Sequence, residues 1–85
     1  MAISKSVTLY NGRVATYHRL RKITARPAGQ WGAEFDMHES AGSRARNVPP
    51  LDRHSVSFTR GQGGVADEAY AAALADPVFA GGTLV

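Results

Sequence analysis

Apolar and polar residues alternate along residues 7–10 and 13–18, on either side of Asn11-Gly12. Alternation with a period of two is typical of a strand that buries one face. Asn-Gly between two such runs favours a two-residue type I′ turn, because both residues tolerate positive φ. We therefore predict a β-hairpin in which this turn places Leu9 opposite Val14.

Residues 31–38 alternate in the same way after a turn at 26–30. Pairing Leu20 with Phe35 lets this strand share one apolar face with the hairpin. The same register places Arg21 opposite Glu34 and Arg19 opposite Asp36 on the outer face. Ile23 falls on the wrong side of this register, which either a bulge or a second apolar contact at that point would explain. The predicted apolar face consists of Val7, Leu9, Val14, Leu20, Ala33, Phe35 and Met37.

The second half of the chain predicts one more strand and a helix. Residues 41–54 form no regular pattern and are expected to be a long loop. Residues 55–60 alternate, glycines follow at 61–64, and the alanine-rich residues 65–75 fit a helix that ends before Pro77. The tail at 83–85 is expected to be free. The sequence therefore predicts a single α+β domain over residues 1–85, a small antiparallel sheet of about four strands with one C-terminal helix packed on one face.

Composition narrows the classes of function. The 85 residues include no cysteine and carry a formal net charge of +3, so disulfides and thiolate metal sites are excluded and a reducing compartment is favoured. Nothing in the sequence indicates a signal peptide or a membrane span, and no membrane partner is expected. The mild basic charge keeps a small nucleic-acid-binding module as the alternative function.

Candidate catalytic groups are few. Asp52, His54 and Ser55 are the residue types of a hydrolase triad, but they are nearly adjacent, whereas a triad gathers its members from separate elements. His18 and Glu39 share the inner face of paired strands and could meet there, although a polar pair at the sheet's end is the simpler interpretation. We expect no catalytic residues and no enzymatic activity.

Candidate ligand sites are equally sparse. The three histidines lack metal-ligand spacing. Residues 61–64 precede a helix as a phosphate loop does, but lack the lysine of a P-loop. We therefore predict no metal or cofactor site, and interpret the glycines as a connection between strand and helix.

Contacts with partners are expected at the predicted loop. Its arginines offer forked donors for carboxylates, and its paired prolines stiffen it. The predicted contact residues are Arg44, Arg46, Pro49, Pro50 and Arg53. Self-association is also expected, because small domains often gain buried surface by oligomerising and the predicted strand 55–59 carries no charge to protect a sheet edge.

Both ends of the chain resemble a known group of proteins. The run 7–12, followed by 17–20, together with the Ala69-Tyr70 helix and the stretch 77–81, resembles small proteins encoded near the tail genes of tailed bacteriophages and prophages. The resemblance covers roughly half of the chain and leaves its middle uncovered. It implies a non-enzymatic structural or tail-assembly role through contacts with other phage structural proteins. It also implies a location in the virion, or in the host cytoplasm during assembly.

Overall fold

The structure, a computed structural model, describes residues 1–85. Five strands form one antiparallel sheet in the order β4-β3-β2-β1-β5, with two helices. The elements are β1 Ile3–Thr8, β2 Val14–Ala25, β3 Gln30–His38, α1 Ala41–Ala45, β4 Asp52–Thr59, α2 Val65–Ala75 and β5 Thr83–Leu84. The predicted α+β class is confirmed, with one short strand and one short helix more than expected. No helix has the length and apolar character that crossing a membrane requires.

The turn between β1 and β2 differs from the prediction. Gly12 has a positive φ of 83°, whereas Asn11 does not. The Leu9 N–H donates to the Arg13 carbonyl at 2.7 Å, and the Gly12 N–H donates to the Leu9 carbonyl at 2.9 Å. The loop therefore has three residues, of the kind that ends in a left-handed glycine. Asn11 accepts a hydrogen bond from the Arg13 N–H through its side chain at 3.0 Å, which stabilises this turn.

The extra loop residue shifts the register of the hairpin by one. Thr8 pairs with Val14, and Val7 pairs with Ala15. Ala15 is therefore buried, and Val14, which was predicted to face the core, is exposed. A one-residue slip exchanges the two faces of a strand, so the predicted pairing of Leu9 with Val14 was wrong.

The register between β2 and β3 is the predicted one from Arg19 to Leu20. Leu20 pairs with Phe35, and Arg19 pairs with Asp36. The register then shifts between Leu20 and Lys22, and beyond this bulge Ile23 lies opposite Ala33. Ile23 consequently packs against the core. Of the two explanations offered for Ile23, the structure shows the bulge.

Helix α2 covers the inner face of the sheet, as predicted, and has the predicted bounds. The Phe35 ring is completely buried and lies edge-on to the Tyr70 ring at 5.2 Å and to the Phe79 ring at 5.8 Å. Phe79 follows the helix, in the turn after Pro77, and is itself completely buried. The core thus depends on an aromatic cluster drawn from a strand, a helix and the turn behind it.

The C-terminal residues are part of the sheet. Strand β5 pairs with the start of β1, with Leu84 opposite Ile3. Ala2 and Val85 exchange two backbone hydrogen bonds of 3.0 and 2.9 Å. The expectation of a free tail was wrong, because this short segment satisfies its backbone groups at the edge of β1.

Candidate functional site: a basic cavity and a free strand edge

Residues 39–51, here called the 39–51 connection, join β3 to β4. They contain a capped helical turn, so the prediction of an irregular loop over 41–54 was wrong. The Ser40 hydroxyl accepts a hydrogen bond from the Ser43 N–H at 3.1 Å, which is a helix N-cap. Strand β4 then begins at Asp52, three residues before the predicted start. Arg53 consequently lies in a strand.

The end of α1 is capped by Asn47. Its φ is 58°, and its N–H donates to the Arg44 carbonyl at 3.1 Å. The Val48 N–H reaches back to the Ser43 carbonyl at 3.0 Å. These two bonds and the left-handed residue form a Schellman cap, in which asparagine is one of the few residues that tolerate the backbone conformation. The cap fixes the direction in which Pro49 leaves the helix.

A cavity of about 340 Å³ lies between the 39–51 connection and the outer face of the sheet. We call it the outer-face cavity. Three of the five predicted contact residues line it, namely Arg44, Pro49 and Pro50, whereas Arg46 and Arg53 do not. The full lining consists of Arg19, Leu20, Asp36, His38, Arg44, Asn47, Val48, Pro49 and Pro50.

The charges of the outer-face cavity are unbalanced. Arg19 on β2 and Arg44 on α1 form no ion pair, although five arginine–carboxylate ion pairs occur in the molecule. The one carboxylate of the lining, Asp36, is held by the Arg53 guanidinium at 3.0 Å. The cavity therefore presents two free guanidinium groups and a neutralised carboxylate.

Arg53, predicted as a partner contact, forms ion pairs with carboxylates of its own chain. Besides Asp36 it lies 3.6 Å from Glu34, which Arg21 also contacts at 3.2 Å. The predicted pairing of Arg21 with Glu34 was wrong, because the bulge places Lys22 opposite Glu34. The Arg21 side chain nevertheless reaches Glu34. Arg19 lies opposite Asp36 as predicted, but Arg53 takes the ion pair.

His38 is the enclosed polar group of the cavity. The centroid of its imidazole ring lies 6.3 Å from that of the Tyr17 ring. The residue is only 8% exposed, and its Nδ1 atom is buried without a hydrogen-bond partner. Burial lowers the pKa of His38, Asp36 opposes that effect, and the positive charges of Arg44 and Arg19 reinforce it. The lowered pKa keeps this imidazole neutral near neutral pH.

Strand β4 forms one edge of the sheet, and no other strand pairs with its outer side. The Arg60 N–H donates at 3.0 Å to the carbonyl of Gly29, the residue before β3, so the backbone of Arg60 faces β3. Because backbone groups alternate sides along a strand, those of odd-numbered residues point away from β3. The residues so placed are Arg53, Ser55, Ser57 and Thr59, all of which are exposed. This free edge contains no proline.

The structure separates the candidate catalytic groups. His54 Nε2 lies 3.0 Å from Asp76 Oδ1, whereas Asp52 accepts a hydrogen bond from the backbone N–H of Arg53 at 2.8 Å. Ser55 lies on the opposite side of the strand from its neighbour His54. Asp52, His54 and Ser55 are therefore not assembled as a triad.

His18 and Glu39 have different partners. His18 is completely buried, with Nε2 at 2.7 Å from the Lys5 carbonyl, and Glu39 pairs with Arg13 at 3.4 Å. No group of three or more His, Cys, Asp or Glu residues is arranged to hold a metal ion.

The glycine connection between β4 and α2 is already occupied by a carboxylate. Glu68 accepts hydrogen bonds from the N–H groups of Gly61 and Gly63, each at 3.0 Å, and contacts the Arg60 guanidinium. These hydrogen bonds lower the pKa of Glu68, and the bond from the Gly61 N–H contributes most. The amide groups that a phosphate would need are taken by the protein's own side chain.

Sequence reasoning missed Arg19, His38 and Asn47 as members of one cavity. A local signal was present, since Ser40 precedes Ser43 at capping distance and Asn47 stands just before Val48-Pro49. That signal locates a short helix, but the cavity also requires knowing which face of the sheet the helix covers. No protein family, no curated protein and no solved structure matches this chain.

Proposed function

We propose that this protein is a non-enzymatic structural or assembly protein that acts through protein–protein contacts, and that it first pairs with a second copy of itself along β4. The observation that carries the proposal is the free edge of that eight-residue strand. Unpaired backbone groups on an exposed, uninterrupted edge are a template for strand addition. The resemblance of both chain ends to small phage and prophage proteins supports a place for this role in a virion or its assembly.

One antiparallel register suits two copies of β4. With Val56 opposite itself, Ser55 of one copy lies opposite Ser57 of the other, and both direct backbone groups to the shared edge. The same register sets Asp52 opposite Arg60 at each end of the pair. A shift by two residues would instead put Asp52 opposite the buried Phe58. A symmetric pair of this kind is the commonest form of homo-oligomer.

Light scattering across a range of protein concentrations tests this proposal. We expect the mass to rise from that of one chain towards that of two. Ser57→Pro removes a backbone N–H that points to the free edge, so it should hold the protein at one chain while the sheet stays folded. Ser57→Ala keeps that N–H and is the matched control. A one-chain mass for the wild type at every concentration would refute strand pairing.

A nucleic-acid-binding module is the second candidate, and one observation favours it. Six basic side chains make no ion pair within the molecule, namely Lys5, Arg19, Lys22, Arg26, Arg44 and Arg46. Binding of nucleic acid through such cations weakens steeply as the salt concentration rises. The reason is that releasing counterions from the nucleic acid into a more concentrated salt solution is less favourable. Salt-dependent binding of generic duplex or single-stranded DNA would favour this function over the first.

A further inference from the structure

We infer that the outer-face cavity binds a glutamate or aspartate side chain from an acidic segment of a partner protein. The inference rests on the proposed function and names the chemistry of the partner. It concerns a different surface from the free edge of β4, so one copy could use both at once.

The first support is the pair of free guanidinium groups. Arg19 reaches the cavity from the sheet and Arg44 from α1, so a group between them meets donors from two separate elements. Guanidinium groups match the planar geometry of a carboxylate and bind it through paired hydrogen bonds. The amide side chain of Asn47 adds a further polar group to the lining.

The second support is His38. It is more than nine-tenths buried, it lines the cavity, and the protein supplies no hydrogen-bond partner for its Nδ1 atom. Buried polar atoms are seldom left without a partner unless a ligand or water serves them. His38 thus adds a buried imidazole to the cavity lining beside the two free arginines, although its Nδ1 atom itself has almost no accessible surface.

The third support is the shape and the apolar wall of the cavity. Val48, Pro49 and Pro50 form one side of the cavity. The rings of the two consecutive prolines fix their backbone φ angles, which makes that side rigid. The volume of about 340 Å³ is near the lower end for ligand pockets, which suits one side chain with an aliphatic stem.

The charge distribution favours a protein carboxylate over a nucleic-acid backbone. Grooves that follow single strands offer cations along their length. Beyond the outer-face cavity, Arg21 and Arg53 are neutralised by Glu34 and Asp36. Lys5, Lys22, Arg26 and Arg46 also form no ion pair, but Arg19 and Arg44 are the two unpaired basic side chains that line one pocket together.

Fluorescence anisotropy with a labelled, end-blocked hexaglutamate peptide tests the inference, with the hexaglutamine peptide as the uncharged control. Arg19→Gln and Arg44→Gln should each weaken binding about tenfold or more, because each removes charge-assisted hydrogen bonds. Arg46→Gln makes the same change of charge on the C-cap of α1, outside the cavity lining, and should change affinity by about twofold at most. Equal losses in the three variants would show binding to overall charge and would overturn the site.

Two further measurements keep the test independent of variant folding. In the wild-type protein, the imidazole NMR signals of His38 should shift as the hexaglutamate peptide is added, and unmoved signals would overturn the site. An oligothymidylate that binds more tightly, with the same dependence on Arg19 and Arg44, would assign the cavity to nucleic acid instead. Light scattering on the same samples separates the two proposals. If the protein is a dimer that does not bind the peptide, only the cavity proposal is refuted. If it is a monomer that does not bind the peptide, both proposals are refuted.

Discussion

The Tyr70 hydroxyl joins three distant parts of the chain. It donates a hydrogen bond to the Met1 carbonyl at 2.8 Å and accepts one from the Leu20 N–H at 2.9 Å. Leu20 stands beside the bulge of β2, where the ladder with β3 changes register. A helix side chain therefore satisfies a backbone group that the irregular ladder leaves free.

Tyr70→Phe should lower the free energy of unfolding by about 1–3 kcal/mol, because the part-buried Leu20 N–H loses its acceptor. Urea denaturation is the measurement. Tyr10→Phe is the control, since Tyr10 is 96% exposed and its hydroxyl should contribute less than about 0.5 kcal/mol. Equal unfolding curves for Tyr70→Phe and the wild type would show that the hydroxyl is not needed.

His18 makes stability depend on pH. Burial lowers its pKa below the ordinary value of 6.5, although the hydrogen bond to the Lys5 carbonyl opposes this and His38 adds a smaller lowering. As pH falls through about 6.5, the unfolded chain binds a proton that the folded chain rejects. Stability should therefore fall on acidification, with no contribution from this group well above that pH.

Urea midpoints measured at about pH 7.5 and about pH 5 check the sign. The midpoint should be lower at the acidic value, and His18→Gln should make the difference smaller without removing it, because burial lowers the pKa of His38 as well. A midpoint that rises on acidification would contradict the buried, neutral state of His18.

At the scale of elements, the glycine connection between β4 and α2 is held by one carboxylate. Glu68→Gln should weaken the hydrogen bonds from Gly61 and Gly63 and speed hydrogen exchange at both amides. Asp67→Asn makes the same charge change in the same helical turn but leaves those hydrogen bonds in place. Unchanged exchange at Gly61 in the Glu68 variant would show that the connection is ordered by its backbone alone.

Elements with a strong pattern were predictable from the sequence. The period of β3 and the register of Leu20 with Phe35 follow from alternation, and the bounds of α2 follow from alanine content and Pro77. The first turn was not predictable from Asn11-Gly12, because the Asn11 side chain could stabilise either of two loop lengths. A local choice of one residue there moved Val14 from the core to the surface.

The candidate site was predictable only in part. Arg44, Pro49 and Pro50 were identified because arginines and prolines in a long connection are conspicuous. Arg53 was misplaced, since the start of β4 has no boundary signal and the ion pairs with Asp36 and Glu34 depend on strand order. Membership of Arg19 and His38 in the cavity depends on tertiary packing, which no periodicity encodes.

At the scale of the whole molecule, the two edges of the sheet are unlike. The edge at β1 is covered by β5 over only two residue pairs, and beyond them the register of β1 shifts between Ser4 and Val7. A bulge and a nearby charge, here Lys5, are devices that discourage strand pairing. The edge at β4 has a regular register along all of its eight residues.

This asymmetry sets a limit on growth. A molecule whose sheet had an unpaired edge strand on both sides would add further copies without limit, as cross-β fibrils do. Under the proposed pairing, each copy has one unpaired edge strand, and a two-fold pair would bury both edges against each other, so that no free edge would remain. The scattering mass should therefore reach a plateau at two chains however concentrated the protein becomes, and any larger structure that contains it must be built through other surfaces.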